Sequence, residues 1–106
     1  HLGRRDDMII TGGLNVYPAE VENLIYTFPG VQETIVFAIP AAKRGQVIGA
    51  AIVQRPGATV VEKELLSFLR ANLANFKVPD QIVIRESLPR RSSGKTIRDA
   101  ATLLGN

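Results

Sequence analysis

Lys95 stands near the end of the chain in the stretch LPRRSSGKTIRD, Leu88 to Asp99, directly behind Ser92, Ser93 and Gly94. A lysine on such a thin loop suits three kinds of chemistry: closing a phosphate loop, joining a basic patch, or serving an active site completed by groups elsewhere. A phosphate loop of the Walker type needs glycine, four residues and then Gly-Lys-Ser/Thr, so that backbone amides wrap the phosphates between a strand and a helix. Gly94, Lys95 and Thr96 satisfy the second half, but Pro89 stands where the first glycine belongs, which disfavours an autonomous phosphate loop. On composition alone the segment, with Arg90, Arg91 and Arg98, fits a solvated basic loop.

The elements that must position this lysine come from a chain of 106 residues, 45% hydrophobic, which is the size of one domain with one core, residues 1–106. Thirteen Lys and Arg against ten Asp and Glu give a formal charge of +3, dispersed along the sequence, so the basic balance is weak support for nucleic acid. The absence of cysteine excludes disulfides, thiolate catalysis and cysteine metal sites, and a single histidine, His1, argues against a histidine-based metal site or triad. No metal ligands are therefore expected. No apolar run approaches the roughly 20 residues that cross a bilayer as a helix, and HLGRRDD does not read as a signal peptide. A soluble, cytoplasmic protein is the expectation, and the start within a patterned segment is expected of a piece cut from a longer chain.

DMIITGG followed by LNVY reads as a small hairpin turning at Gly12 and Gly13. From Pro18, a favoured first helical residue, Val21, Leu24, Ile25 and Phe28 keep the spacing of a helix with one buried face, ended by FPG. ETIVFAIP and QVIGAAIVQRP are β-branched runs of strand length around the turn AAKRG. Thr59 with Glu62 spells a capping box for a second helix carrying Leu65, Leu66, Leu69 and Leu73. QIVIRE is a third strand, and Ile97, Ala100, Ala101 and Leu104 suggest a short terminal helix. This order predicts an α+β fold: a sheet of about three strands with helices packed against it, preceded by a short β-hairpin.

GRRDDMIITGGLNVYPAEVENLI resembles the start of the small C-terminal domain of adenylate-forming enzymes, the group of acyl-CoA synthetases, luciferases and peptide-synthetase adenylation domains. That family shows Gly-Arg-x-Asp, apolar residues, a glycine turn and then Pro-x-Glu-[Ile/Val]-Glu. FPGVQETIVFAIP, FKVP and LPRRSSGKTIR follow in the family's order, over essentially the whole chain, and the likeness is greatest to acyl-CoA synthetases.

The resemblance implies roles for particular residues. Lys95 falls on the catalytic lysine that contacts the substrate carboxylate and the α-phosphate of ATP. Negative charge builds on phosphate oxygens as the carboxylate attacks, and a compact ammonium on a flexible stem neutralises it. Asp6 falls on the hinge between large and small domains, and Arg4 on an arginine near the nucleotide, a role suited to a planar fork. Gly12 and Gly13 match a turn that approaches the pantetheine of CoA after domain rotation; a tight turn needing positive φ is the equal and compatible structural reading. Phe76 and Lys77 are candidates to stack on adenine and meet a phosphate of CoA, beside the plainer reading of a core aromatic and an exposed lysine. Glu20 and Glu22 fit the family pattern, but both lie in the first turns of a helix, where acids complement the dipole, and are read as structural. Asp7 and Arg5 are read as surface residues.

Two departures stand out. Where relatives often carry Pro-Asp followed by Gly-Glu, this chain has Pro40, Ala41 and then Gly45, Gln46, which puts that loop's CoA contacts in doubt and leaves Arg44 as a substitute. Ala101 replaces a frequent leucine. The resemblance implies the mobile C-terminal lid of an ATP-dependent acyl-CoA synthetase of fatty-acid metabolism, whose partner is its own large N-terminal domain. A carboxylate, ATP with Mg2+ and CoA would be used by the whole enzyme, with none bound tightly by this domain alone, which is expected to be inactive. A carrier protein as acceptor, and more remotely a non-enzymatic nucleic-acid-binding module using Arg90, Arg91, Lys95 and Arg98, are the rival readings.

Overall fold

The structure is a computed structural model that describes residues 8–89 and 100–104. Its elements run β1 (Ile9–Thr11), β2 (Leu14–Val16), α1 (Pro18–Tyr26), β3 (Val31–Ala41), β4 (Gly45–Gln54), α2 (Glu62–Asn72), a 3-10 turn (Asn75–Lys77), β5 (Gln81–Arg85) and α3 (Ala100–Leu104). β1 and β2 form an antiparallel hairpin, and β3, β4 and β5 form a separate three-stranded sheet in that order. The expected α+β arrangement, hairpin included, is what is found.

β4 is the middle strand, antiparallel to β3 and parallel to β5. A parallel return requires a crossover, and α2 supplies it. Both long strands are apolar on successive residues because both faces of the sheet are covered. Val36, Ile48, Ala50, Ile52 and Ile82 point to one side, where they meet Val21 and Ile25 of α1, Leu65 and Leu69 of α2, and Ile9 and Val16 of the hairpin. The alternate set, Ile35, Phe37, Ala51 and Val53, points to the other side and meets Leu88 and Leu103. Phe28 and Phe68 tie the two helices of the first face, their ring centroids 5.4 Å apart at 50°.

α1 begins at Pro18, whose missing N–H costs nothing in a first turn, and buries Val21 and Ile25 as the spacing predicts. α1 also closes the outer edge of β3: the Tyr26 hydroxyl accepts from Thr34 N at 3.3 Å, and Glu22 Oε2 accepts from Val36 N at 2.8 Å. Two residues on from Ala38, in the same outward-facing set of β3, is Pro40, which has no N–H to leave unpaired.

α2 starts later than the capping box implies. Val61, not Thr59, is the residue before its first turn, and no side chain caps it. The reason is upstream: Val60 is buried, and its N–H donates to Gln54 Oε1 at 2.6 Å, which holds the approach extended through Thr59. Leu65 and Leu69 are buried as expected.

α3 has only five residues, far too few to persist on internal hydrogen bonds. Two contacts hold it. Leu103, 1% exposed, seats in the second core beside Leu88, and Arg85 donates to the carbonyls of Leu103 and Leu104. A cation at a helix C-terminus also complements the dipole.

Candidate functional site

Gly12 and Gly13 form the two-residue turn of the first hairpin, with φ of 59° and 82°. Positive φ at both positions is the signature of a primed hairpin turn, which explains glycine there. A Cβ on either residue would meet nothing within 4 Å, so the turn stands in open space on this domain and shows bare backbone outward.

This turn is fixed against a second one. Gly12 N donates to the carbonyl of Arg44 at 3.0 Å, and Ile10 N donates to Gln46 Oε1 at 2.8 Å. The β3–β4 turn, with Lys43 and Arg44, is therefore bound to the hairpin along its side. The Arg44 guanidinium donates through Nη1 to Asp80 Oδ1 at 3.2 Å, and Asp80 Oδ2 accepts from Ile48 N at 3.1 Å. Asp80 N returns a bond to the Ile48 carbonyl at 2.7 Å, so the backbone at Asp80 is locked to β4 immediately before β5 begins. An exposed ion pair of this kind contributes about 0–1 kcal/mol, so its main effect is on where the guanidinium sits.

Phe76 and Lys77 lie in the 3-10 turn, which packs against β2. Phe76 is half-buried against the first core, the plainer of its two readings, and carries Lys77 Nζ 5.7 Å from its ring centroid. Lys77 is not the exposed cation that the plainer reading assumed: its side chain is 25% exposed and Nζ donates to both carboxylate oxygens of Glu20, at 2.9 and 3.0 Å. Glu20 lies in the first turn of α1, so it joins α1 to the 3-10 turn as well as complementing the dipole.

Gly12, Gly13, Arg44, Phe76 and Lys77 thus come from three distant segments that the fold links through the hairpin: the hairpin is bonded to the Arg44 turn and packed on the 3-10 turn. This assembly offers side-chain-free backbone and an aromatic ring beside Arg44 and Lys77, each of which is already paired with a carboxylate. Arg4, Asp6 and Lys95 lie outside the described residues. Asp80 was not singled out in the sequence, although an Asp between Pro79 and an apolar strand is a recognisable stop signal, and Gln46 was noted as a departure from the family pattern but not as the acceptor that binds the hairpin.

Among the described residues no group of three or more His, Asp or Glu gathers where a metal ion could be held, so these residues do not fit a Mg2+ site of their own. No described helix is long and apolar enough to cross a membrane.

Residues 20–95 match the AMP-binding enzyme C-terminal domain. The chain is 45% identical over 96 residues to a ring-substituted propanoyl:CoA ligase of Rhodococcus jostii (strain RHA1), spanning 91% of this chain and 19% of that protein. It is 43% identical over 95 residues to a feruloyl-CoA synthase of Amycolatopsis sp., spanning 90% of this chain and 19% of that protein. Its fold matches apo MatB from Rhodopseudomonas palustris with a TM-score of 0.88 and 38% identity, over 99% of this chain and 22% of that one.

Proposed function

The chain belongs to the family of AMP-binding enzyme C-terminal domains, and from that premise we propose that it is the mobile lid of an ATP-dependent acyl-CoA synthetase. The remainder of the enzyme, on this reading, is a large N-terminal domain that binds the carboxylate and ATP. A carboxylate oxygen attacks the α-phosphorus of ATP and pyrophosphate leaves, giving acyl-adenylate. The thiol of CoA then attacks the acyl carbonyl, and AMP leaves with the electrons of the broken C–O bond.

Lys95 serves the first step by neutralising charge on the carboxylate and α-phosphate, with Arg4 near the nucleotide. Rotation at Asp6 then withdraws Lys95 and presents the Gly12–Gly13 turn to the pantetheine chain. Mg2+ accompanying ATP would supply charge neutralisation to its phosphates in such a reaction. The cytoplasm, where ATP and CoA meet, is the proposed compartment, and nucleic acid is not a proposed partner.

The observation that carries this reading is the bond from Gly12 N to the Arg44 carbonyl, 3.0 Å long, which makes a bare backbone turn and a basic turn one unit. That unit is suited to a thin, phosphate-bearing thiol. The curated relatives bearing CoA-ligase names support CoA over a carrier protein as acceptor.

The test uses the full-length enzyme. Lys95→Ala is expected to slow acyl-adenylate formation, measured as pyrophosphate release, by roughly 10²–10³-fold, while thioester formation from supplied acyl-adenylate stays within a few-fold. Equal loss in both half-reactions would overturn the assignment of Lys95.

A further inference from the structure

We propose that Gln46 is a positioning residue for the Gly12–Gly13 turn in thioester formation, an inference that deepens the reading above and rests on the approach of that turn to the pantetheine chain. Ile10 N donates to Gln46 Oε1 at 2.8 Å, and Gly12 N donates to the Arg44 carbonyl at 3.0 Å. The donors advance from Ile10 to Gly12 while the acceptors step back from Gln46 to Arg44, which is the order of rungs in an antiparallel ladder. One rung is made by backbone. The other is made by a side-chain amide, whose oxygen has the acceptor chemistry of a peptide carbonyl.

The residue between the two acceptors explains the substitution. Gly45 begins β4 with φ of 78°, outside the extended range, so the chain bends where a regular ladder would continue. The half-buried side chain of Gln46 then supplies the acceptor that Ile10 N meets.

These rungs carry the orientation of the hairpin. β1 and β2 form a sheet of their own, attached to the first core through Ile9 and Val16. Apolar contacts of that kind hold the hairpin down but are non-directional, so they resist a change of tilt poorly. The Ile10 side chain, 45% exposed, adds little to them. Directed bonds at residues 10 and 12 set the tilt, whereas the Gly12 bond alone would act as a pivot.

The turn stands in open space at the end of the hairpin, so a change of tilt is expressed there. A group that orients a reacting chain must be held within about 0.5 Å of its productive position, so the amide of Gln46 enters the rate of the step in which the turn meets the thiol's chain. On the reading above adenylation precedes the rotation that presents the turn, and it serves as the comparison.

The experiment compares full-length enzyme with Gln46→Met, which keeps the stem and removes the amide, and Gln46→Glu, which keeps an acceptor oxygen at the same reach. Thioester formation from supplied acyl-adenylate and pyrophosphate release are both measured, with Gly12→Asn in the same assays, and amide hydrogen exchange is followed across the domain. Gln46→Met is expected to lower kcat/KM for CoA about tenfold and to leave pyrophosphate release within about twofold. Gln46→Glu should recover most of the lost rate. Exchange should quicken over residues 9–13 and stay unchanged over residues 31–41. The inference is overturned if Gln46→Met forms thioester normally while Gly12→Asn does not, if both half-reactions fall together, if exchange quickens over residues 31–41 as well, or if Gln46→Glu is as slow as Gln46→Met. A Gly12→Asn enzyme with normal thioester kinetics removes the premise instead, and the inference with it.

Discussion

Glu22 reaches from the second turn of α1 to the open side of the sheet, where its Oε2 accepts a hydrogen bond from Val36 N at 2.8 Å. The residue lies in an acidic pair at a helix start, which ordinarily signals dipole complementation. Its longer reach makes it a bridge between helix and strand. Glu22→Ala is expected to destabilise the 106-residue chain by about 1–3 kcal/mol, because a part-buried amide loses its charged acceptor. Glu22→Gln keeps an acceptor of the same length and should recover more than half of that loss in urea unfolding; parity between the two variants would remove the bond from the account.

Gly49 faces Phe37 across β3 and β4, and a Cβ there would lie 2.6 Å from two carbons of the Phe37 ring. Gly49→Ala should cost about 1–3 kcal/mol as an overpacked core. In a Phe37→Leu background the same substitution should cost clearly less. A double-mutant cycle on denaturation midpoints measures the difference, and strict additivity would show that the ring is not what glycine makes room for.

Gly12→Asn offers a cleaner probe of the hairpin than alanine, since Asn tolerates positive φ and the added Cβ meets nothing within 4 Å. Stability of the chain should therefore change by under about 1 kcal/mol. In the full-length enzyme the new side chain should raise KM for CoA or slow thioester formation, with adenylation untouched. An Asn enzyme with normal thioester kinetics would mean that the turn does not approach the ligand.

Arg44 and Asp80 separate a surface ion pair from the backbone bonds beside it. Arg44→Met should shift stability by about 0–1 kcal/mol, the usual scale for exposed pairs. Asp80→Ala should cost about 1–3 kcal/mol, since Ile48 N also loses its acceptor. Thermal unfolding of the two variants gives the order, and a larger effect at Arg44 would reverse the roles given to them.

Lys77 and Glu20 stand 57 residues apart and nothing in local pattern joins them; only the packing of the 3-10 turn on the hairpin brings the lysine to α1. Such pairings are invisible in one sequence, whereas periodic features are not. The continuous β-branched run ETIVFAIP made β3 legible as a strand, and Pro18 with Val21 and Ile25 marked α1, whereas the division of Ile35 and Phe37 from Val36 between two cores came only with the fold. Thr59 misled because a capping box is a local signal, and the bond from Val60 N to Gln54, made as the chain leaves β4, outweighed it. The positive φ of Gly12 and Gly13 was legible from the dipeptide itself, but the attachment of that turn to Arg44 was not, since it depends on the order of strands. The position of Asp80 shows the same limit: its identity invites a turn, while its grip on Ile48 and Arg44 requires β4 as neighbour.

The outer side of β3 has one more consequence. An open strand border is a template on which a second chain can assemble. Here the amides of Thr34 and Val36 are already engaged by Tyr26 and Glu22, and Pro40 further along has none to donate. The same α1 that builds the core thereby guards this border against pairing with another copy of the chain.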